Sequence, residues 1–253
     1  MNRLGYMTDD DYSNLDAIRN SDLGHLLKSP RHYWVNKYDE RKDTDAFKFG
    51  RLFHMAILEP DLFATKVMVA ETDKRTKAYK ELVLANPDKT IITEQESSML
   101  TGMSNTLRTK ETWKQISLNA EREVAFTNQV SEVLCKCKCD LIVGDVIIDL
   151  KTTVSASEKS FLYSINDYGY HRQAAFYKAV TGAKRFLFVA IEKSSPYECS
   201  FFELDDSALA EGAAQYEYAL SVYKQAVLND DFHGYHDALK KLSLPEYKKE
   251  YSF

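Results

Sequence analysis

Residues 139–153 read CDLIVGDVIIDLKTT, and this stretch decides the fold class. Two runs rich in branched apolar residues flank Gly144, which predicts two strands joined by a tight turn. Because side chains alternate along a strand, Asp149 and Lys151 should point the same way. The opposite face should carry Val146, Ile148 and Leu150. The sequence therefore predicts an acid and a base that share one face beside a core.

The pattern around this hairpin extends the sheet. The predicted strands are 121–126, 133–143, 146–153, 185–193 and 197–205. The first three form a β-meander. A helix at 168–182, ended by Gly182, follows the meander, and a long helix at 207–228 closes the pattern. Strands that precede and flank a helix predict an α/β protein with a mixed central β-sheet flanked by helices.

Helical signals dominate the first 120 residues. Ser21 is predicted to cap a short helix through Lys28 that Pro30 stops. Apolar residues then recur at helical spacing over 47–60, up to Pro60. We find no linker or repeat, so we expect a single domain over 1–253. It would comprise a helical N-terminal part (1–120), the sheet with its helix (121–204) and a helical C-terminal part (205–253).

Composition excludes several classes of protein. The 253 residues are 44% hydrophobic and 12% aromatic, enough for a substantial core. Lys and Arg number 33 against 38 Asp and Glu, a net charge of -5, so the chain as a whole does not attract nucleic acid or anionic membranes. Any DNA binding would need a local basic lining. No apolar run approaches the roughly 20 residues of a membrane span, and the start does not resemble a signal peptide. We therefore expect a cytoplasmic protein.

Three of the four cysteines alternate along one predicted strand. Cys135, Cys137 and Cys139 would share one strand face, whereas zinc and iron–sulfur sites usually draw ligands from turns with C-x2-C spacing. The pattern favours small buried residues. A metal cluster or a redox role shared with Cys199 is the alternative.

Asp140 connects the two strands of the hairpin chemically. It should share a face with Lys136, Lys138 and Ile142 and lie near Asp149 and Lys151 across the turn. Two carboxylates and a lysine suit Mg²⁺ and a hydrolytic water. An ordinary surface salt bridge is the alternative that spacing alone leaves open.

Taken in order, these motifs resemble a known nuclease core. Asp140, then Asp149-Leu150-Lys151, then Gln173-x-x-x-Tyr177 are similar to the PD-(D/E)XK nucleases. Together with GRLFHMAILEP at 50–60, they resemble the exodeoxyribonuclease VIII (RecE) group of phage and prophage recombination exonucleases. The resemblance runs from about Ser21 to Glu192. Cys139 stands where the superfamily pattern has proline.

The resemblance implies roles for particular residues. It makes Asp140, Asp149, His54 and the Leu150 carbonyl ligands of Mg²⁺, with Mn²⁺ as a substitute, and Lys151 the group that orients or activates the attacking water. Glu123 would be the acid of the preceding strand, although Glu121 is an alternative. Gln173 and Tyr177 would bind the DNA end or support the site. Without the resemblance, His54, Gln173 and Tyr177 would be read as packing residues.

Other side chains are candidates for DNA contact. Phosphate contacts are predicted for Lys136, Lys138, Lys159, His171 and Arg172. Stacking on frayed bases is predicted for Trp34, Tyr163, Tyr168 and Tyr170. For each of them a plain surface or packing role is the alternative.

The function implied by the resemblance is a Mg²⁺-dependent exonuclease. It would degrade linear double-stranded DNA from 5′ to 3′ in a bacterial host cell and leave 3′ overhangs for a RecT-like single-strand annealing protein. Alternatives are a non-catalytic DNA-binding or interaction module and an iron–sulfur nuclease. A ring-shaped homotetramer is also expected. The stripe on the last helix, Leu209, Ala213, Tyr216, Leu220 and Tyr223, would supply part of its contact surface unless it packs within its own chain.

Overall fold

The computed structural model describes residues 1–39, 44–235 and 237–242. The strands are β1 Asn2–Tyr6, β2 Val67–Ala70, β3 Thr90–Thr93, β4 Glu121–Val130, β5 Val133–Val143, β6 Val146–Thr153, β7 Arg185–Glu192 and β8 Cys199–Glu203. The helices are α1 Asp9–Asn14, α2 Asn20–Leu26, α3 Pro30–Tyr38, α4 Asp45–Leu58, α5 Pro60–Lys66, α6 Lys77–Ala85, α7 Glu94–Thr109, α8 Glu111–Ser117, α9 Glu158–Tyr168, α10 Tyr170–Thr181 and α11 Asp206–Leu228.

A six-stranded mixed sheet forms the centre of the molecule. Its strand order is β1-β4-β5-β6-β7-β8, and a separate pair joins β2 and β3. β6 and β7 run parallel, while the other neighbours in the large sheet run antiparallel. A parallel pair requires a crossover, which α9 and α10 provide between β6 and β7.

Helices cover both faces of the sheet. On one face, Leu23 of α2, Phe176 of α10 and Leu220 of α11 pack against β5 and β6; we call this the α10–α11 core. On the other face, Phe53 of α4 and Met103 of α7 pack against β6 and β7 in the α4–α7 core. The predicted fold class, a mixed sheet flanked by helices, is confirmed.

The main sequence signals for helices act where they were expected, with two differences. α4 begins after Thr44, whose side chain accepts a hydrogen bond from the Phe47 amide, and it ends before Pro60. α2, however, starts at Asn20 after Arg19, so Ser21 lies inside the helix. Pro30 does more than stop the previous segment, because it occupies the first turn of α3, where its missing N–H costs nothing.

The two ends of the chain differ from the helical parts that the sequence predicted. The N-terminal part includes β1, which pairs with β4 through Tyr6 and Val124, as well as β2 and β3. After α11, residues 229–235 and 237–242 form no helix. Residues 40–43, 236 and 243–253, including the end of the predicted helical C-terminal part, lie outside the described residues.

The apolar stripe of α11 packs within the chain. Tyr216 and Leu220 are buried in the α10–α11 core, and the other stripe residues lie half-buried against it. Gly212 lets α11 approach α10 so closely that a Cβ there would lie 2.5 Å from the His171 carbonyl carbon. The assignment of this stripe to contacts between subunits is therefore wrong, since α10 already covers it.

The alternating cysteines are core residues. Cys135, Cys137 and Cys139 are all fully buried in the α10–α11 core, and Cys199 is buried in the α4–α7 core as a free thiol. The preference for small buried residues is thus confirmed. Among the described helices, none combines the length and apolar character that a bilayer crossing requires.

Candidate active site

Asp140 lies where two central strands separate. β5 pairs with β6 only over Leu141–Val143, and beyond that point Asp140 Oδ2 accepts the backbone N–H of Leu150 at 2.7 Å. Cys139 and Ile142 both face the α10–α11 core, although they are three residues apart. Regular alternation is interrupted between them, so the expectation that Asp140 and Ile142 share a face is wrong. Because of this interruption, the Asp140 carboxylate points into the gap between the two strands.

His54 reaches this gap from α4. The helix buries Phe49, Phe53 and Ile57 in the α4–α7 core, which leaves His54 at its border, half-buried. Its Nδ1 lies 3.4 Å from Asp140 Oδ1, and its Nε2 donates to the Leu150 carbonyl at 2.9 Å. Burial by itself would lower the pKa of His54, but the negative charge of Asp140 outweighs burial and raises that pKa to about 9. In turn His54 holds the pKa of Asp140 below its ordinary value, although burial opposes this.

Glu123 supplies a second carboxylate. It is buried in β4 at φ +53°, a conformation that a side chain rarely adopts, and its Oε2 lies 2.6 Å from Lys138 Nζ. Burial first, and the charge of Asp140 second, raise the pKa of Glu123 to about 7. Glu121, by contrast, is exposed and pairs with Arg3. Of the two acids considered on this strand, the structure brings Glu123 to the site.

Asp149 and Lys151 form a pair on the face of β6 that looks towards α10. Lys151 Nζ lies 2.6 Å from Asp149 Oδ2, and Gln173 of α10 donates to Asp149 Oδ1 at 2.7 Å. Their common direction is confirmed, because Ile148 and Leu150 lie in the opposite core. Burial raises the pKa of Asp149 to about 6, and the neighbouring Asp140 adds to this shift.

Tyr170 completes the surroundings of Lys151. The ammonium stands 4.7 Å from the centre of the Tyr170 ring, a cation–π contact. Burial would lower the pKa of Lys151, yet Asp149 and the other anionic groups outweigh burial and raise it. Sequence reasoning proposed Tyr170 only for stacking on bases and missed this contact. Its position three residues before Gln173, on the same helical face, is the signal that could have revealed it.

The donor atoms fit a hard divalent cation. One ligand atom each of His54, Glu123 and Asp140 lies within 4.8 Å of the other two. Asp149 Oδ2 is buried without a hydrogen bond, its neighbour being the Lys151 ammonium. Carboxylate oxygens with one imidazole suit Mg²⁺ or Mn²⁺. Glu123 thus joins the predicted ligands His54 and Asp140, while Asp149 is held by Lys151 and Gln173.

Several predicted DNA contacts have other partners. Lys136 is buried and donates to the carbonyls of Tyr12 and Leu15, and Lys138 pairs with Glu123 and Asp9. Buried His171 contacts the Ile165 carbonyl. These groups hold the fold together, so their assignment as free phosphate contacts is wrong.

The remaining candidates differ in exposure. Tyr177 packs against the α10–α11 core, in ring contact with Phe186. Trp34 lies against Tyr38 and Phe232. Lys159, Tyr163 and Tyr168 are exposed on α9.

Solved structures with a related chain path exist. A candidate exonuclease of Eubacterium rectale superposes with a TM-score of 0.67 at 16% identity, over 94% of this chain and 96% of that chain. A likeness at this identity shows a shared fold. A phage-related exonuclease of Haemophilus somnus 129PT matches with a TM-score of 0.40 at 12% identity, over 87% and 100% of the two chains. An alkaline exonuclease of Laribacter hongkongensis matches with a TM-score of 0.33 at 14% identity, over 71% and 96%. The last two scores are too low to establish a common fold.

Sequence comparison places the chain in a family. No protein of curated function matches it in sequence. A family model, the PDDEXK-like domain of unknown function (DUF3799), matches residues 20–235. That segment contains His54, Glu123, Asp140, Asp149 and Lys151. The chain therefore belongs to the PDDEXK-like domain family DUF3799.

Proposed function

We propose that this protein is a metal-dependent exodeoxyribonuclease that hydrolyses linear double-stranded DNA. The observation that carries the proposal is that a set of metal-binding groups and an acid–lysine pair lie together where β5 and β6 separate. A donor set of His54, Glu123 and Asp140 lies beside a buried Asp149–Lys151 pair. Paired carboxylates next to a fixed ammonium can hold a cation and steer a water towards a phosphate.

The chain's own groups would divide the work. Asp140, His54, Glu123, Asp149 and the Leu150 carbonyl would hold Mg²⁺, or Mn²⁺ in its place. The bound metal would supply a water of lowered pKa and neutralise charge on the phosphate. Lys151 stays a cation at neutral pH and is fixed between Asp149 and Tyr170, which suits it to orient the attacking water. Gln173 fixes Asp149 through its amide.

Nδ1 is the nitrogen of His54 that faces Asp140, at 3.4 Å from Oδ1, and it would hold a metal once it carries no proton. Nε2 would meanwhile keep the proton that it donates to the Leu150 carbonyl, and this contact would fix the orientation of the ring. The carbonyl oxygen has a second lone pair, which would serve as an oxygen ligand.

The central test is digestion of duplex DNA by purified protein. Linear duplex should be degraded with Mg²⁺ and persist with EDTA, while covalently closed circles should persist in both. Lys151→Met should lower the rate at least about a hundredfold, whereas Lys77→Met, which alters an exposed lysine of α6, should leave it unchanged. Wild-type protein that binds DNA but never cuts it would instead be a non-catalytic binding module.

We further propose that digestion runs from 5′ to 3′ and leaves 3′ single strands for a RecT-like annealing protein in the bacterial cytoplasm. This direction comes from the resemblance to the RecE group. Duplex labelled at either the 5′ or the 3′ end separates the alternatives. Early release of the 5′ label with retention of the 3′ label is expected, and the reverse order would exclude this role.

A ring-shaped homotetramer remains part of the proposal. Its support is the net charge of -5, because a single copy would attract DNA only weakly. Several copies around a passage could bring their modest basic surfaces together. Light scattering should give about four times the 29.1 kDa of one chain. A monomer that digests distributively would refute the ring.

A further inference from the structure

Arg172 is a buried arginine that has no acidic partner among the described residues. It lies in the first turn of α10 with only 9% of its surface exposed. Its Nε donates to the neutral side-chain oxygen of Asn20 at 3.3 Å. No Asp or Glu of the described residues forms an ion pair with it. Buried arginines are normally paired, so this one lacks its usual counter-ion.

Two glycines make the space that the guanidinium fills. A Cβ on Gly169 would lie 2.8 Å from both terminal nitrogens of Arg172, and a Cβ on Gly24 would lie 3.1 Å from one of them. Gly169 precedes α10, whereas Gly24 belongs to α2. The side chain is therefore held by the shape of its surroundings, from two separate elements, and not by an opposite charge.

The same place carries a second source of positive potential. Gly169 is the N-cap of the 12-residue α10 and adopts φ +66°, and no side chain caps the amides of the first turn. A helix N-terminus bears a partial positive charge and attracts anions. The guanidinium lies against this end, and its terminal nitrogens are not sealed from solvent. Both sources of positive potential thus lie at the same end of α10.

The same turn of α10 also contributes to the candidate active site. Gln173, the next residue, donates to Asp149, and the Tyr170 ring faces the Lys151 ammonium. Because neighbouring helix residues point in different directions, this turn contacts the Asp149–Lys151 pair on one side and carries the Arg172 guanidinium on another, against α2.

We propose that Arg172 and the first turn of α10 bind a phosphate group of the DNA substrate other than the phosphate that is cleaved. The inference rests on the proposed function and adds a substrate-binding residue to it. A guanidinium presents two parallel N–H groups that match two phosphate oxygens. A terminal 5′-phosphate and an internal phosphodiester offer the same oxygens, so the experiment uses both.

Binding measured without cleavage tests the site. In EDTA, fluorescence anisotropy would compare duplexes that end in a 5′-phosphate or a 5′-hydroxyl. Arg172→Met should weaken binding by about tenfold to a hundredfold, as expected for loss of charge-assisted hydrogen bonds. Arg108→Met, which removes an exposed arginine of α7, should bind as wild type does. Weakening confined to the 5′-phosphate duplex assigns the site to the terminal phosphate, and equal weakening of both assigns it to an internal phosphodiester.

Thermal denaturation separates a binding role from a structural one. If Arg172 serves to bind an anion, the melting temperature of Arg172→Met should equal or exceed that of the wild type, because the substitution removes an uncompensated buried charge. Inorganic phosphate should raise the melting temperature of the wild type more than sodium chloride of equal ionic strength does, and it should not raise that of Arg172→Met.

Three results would overturn the inference. They are an unchanged DNA affinity in Arg172→Met, a wild type that phosphate does not stabilise, and a variant that is destabilised while its response to phosphate persists. Wild-type protein that digests duplex while Arg172→Met binds DNA normally would refute the phosphate site alone. Wild-type protein that neither binds nor digests DNA would refute the proposed function.

Discussion

Gly212 offers the sharpest test of how the helix behind the candidate active site is supported. It lies in α11, where a Cβ would stand 2.5 Å from the His171 carbonyl carbon and 2.9 Å from the Arg172 amide nitrogen. Carbon atoms make their best contacts at about 3.5–4.0 Å, so Gly212→Ala would push the two helices apart by about 1 Å. Backbone atoms of α10 cannot swing aside as a side chain could.

The size of the effect follows from two opposing contributions. Alanine gains about 1 kcal/mol over glycine in a helix interior. Overpacking costs about 1–3 kcal/mol. Separation of α10 from α11 also weakens the contacts of buried Tyr216, Ala219 and Leu220. The overpacking cost less the helix gain gives a net loss of up to about 2 kcal/mol in the free energy of unfolding, and the weakened contacts favour that upper end. For a chain of this size a loss of about 2 kcal/mol corresponds to a fall of about 4–8 °C in melting temperature, measured by circular dichroism in EDTA.

Gly50→Ala is the matched control. Gly50 also lies inside a helix, α4, but a Cβ there would meet Thr152 Oγ1 at 3.6 Å, an ordinary contact. This variant should melt at the wild-type temperature or slightly above it. Equal or higher stability of Gly212→Ala would show that α10 and α11 do not approach as closely as described.

Three further predictions address groups in and around the site. Burial raises the pKa of Glu123 to about 7, so protonated Glu123 stabilises the fold at low pH, and this stabilisation is lost as the pH rises through that value. The free energy of unfolding of Glu123→Gln minus that of the wild type should therefore be about 2 kcal/mol larger at pH 8 than at pH 5, measured by urea titration of the metal-free proteins. An unchanged difference between the two pH values would contradict it. Cys137→Ser should cost about 1–3 kcal/mol, because a hydroxyl would enter an apolar core, and the wild type should be colourless; iron detected in it would contradict the core role. Lys136→Met should cost about 2 kcal/mol, since two carbonyls lose a charged donor, and limited proteolysis should then cut first near Tyr12; an unchanged cleavage pattern would argue against this anchor.

Much of the sheet could be predicted from sequence because its signals are local. The turn at Gly144 and the alternation around Asp149 each depend on residues that are close together in the chain. The ending of α10 at Gly182, with φ +72°, is equally local. The pairing of Asp149 with Lys151 followed from the two-residue period of the strand.

The remaining features depend on contacts between distant segments. β1 is short and mostly exposed, so its sequence has no apolar pattern that would predict its pairing with β4. The charges of Lys136 and Arg172 suggest surface residues. Lys136 is buried because it donates to the carbonyls of Tyr12 and Leu15, and Arg172 is buried because α2 packs against the start of α10. The interruption at Asp140 breaks the alternation that sequence reasoning must assume. The apolar stripe of α11 could be recognised, but not which surface covers it.

The measurement that tests the central claim most directly is digestion of end-labelled linear duplex by wild type and Asp149→Asn, each with Mg²⁺ and with EDTA. Asp149→Asn keeps the shape of the side chain and the contact with Gln173 but removes the negative charge beside Lys151. We predict progressive loss of duplex only for wild type with Mg²⁺, while the variant folds normally and still binds DNA. Degradation at the wild-type rate by Asp149→Asn, or by wild type in EDTA, would contradict a metal-dependent nuclease site built on Asp149 and Lys151.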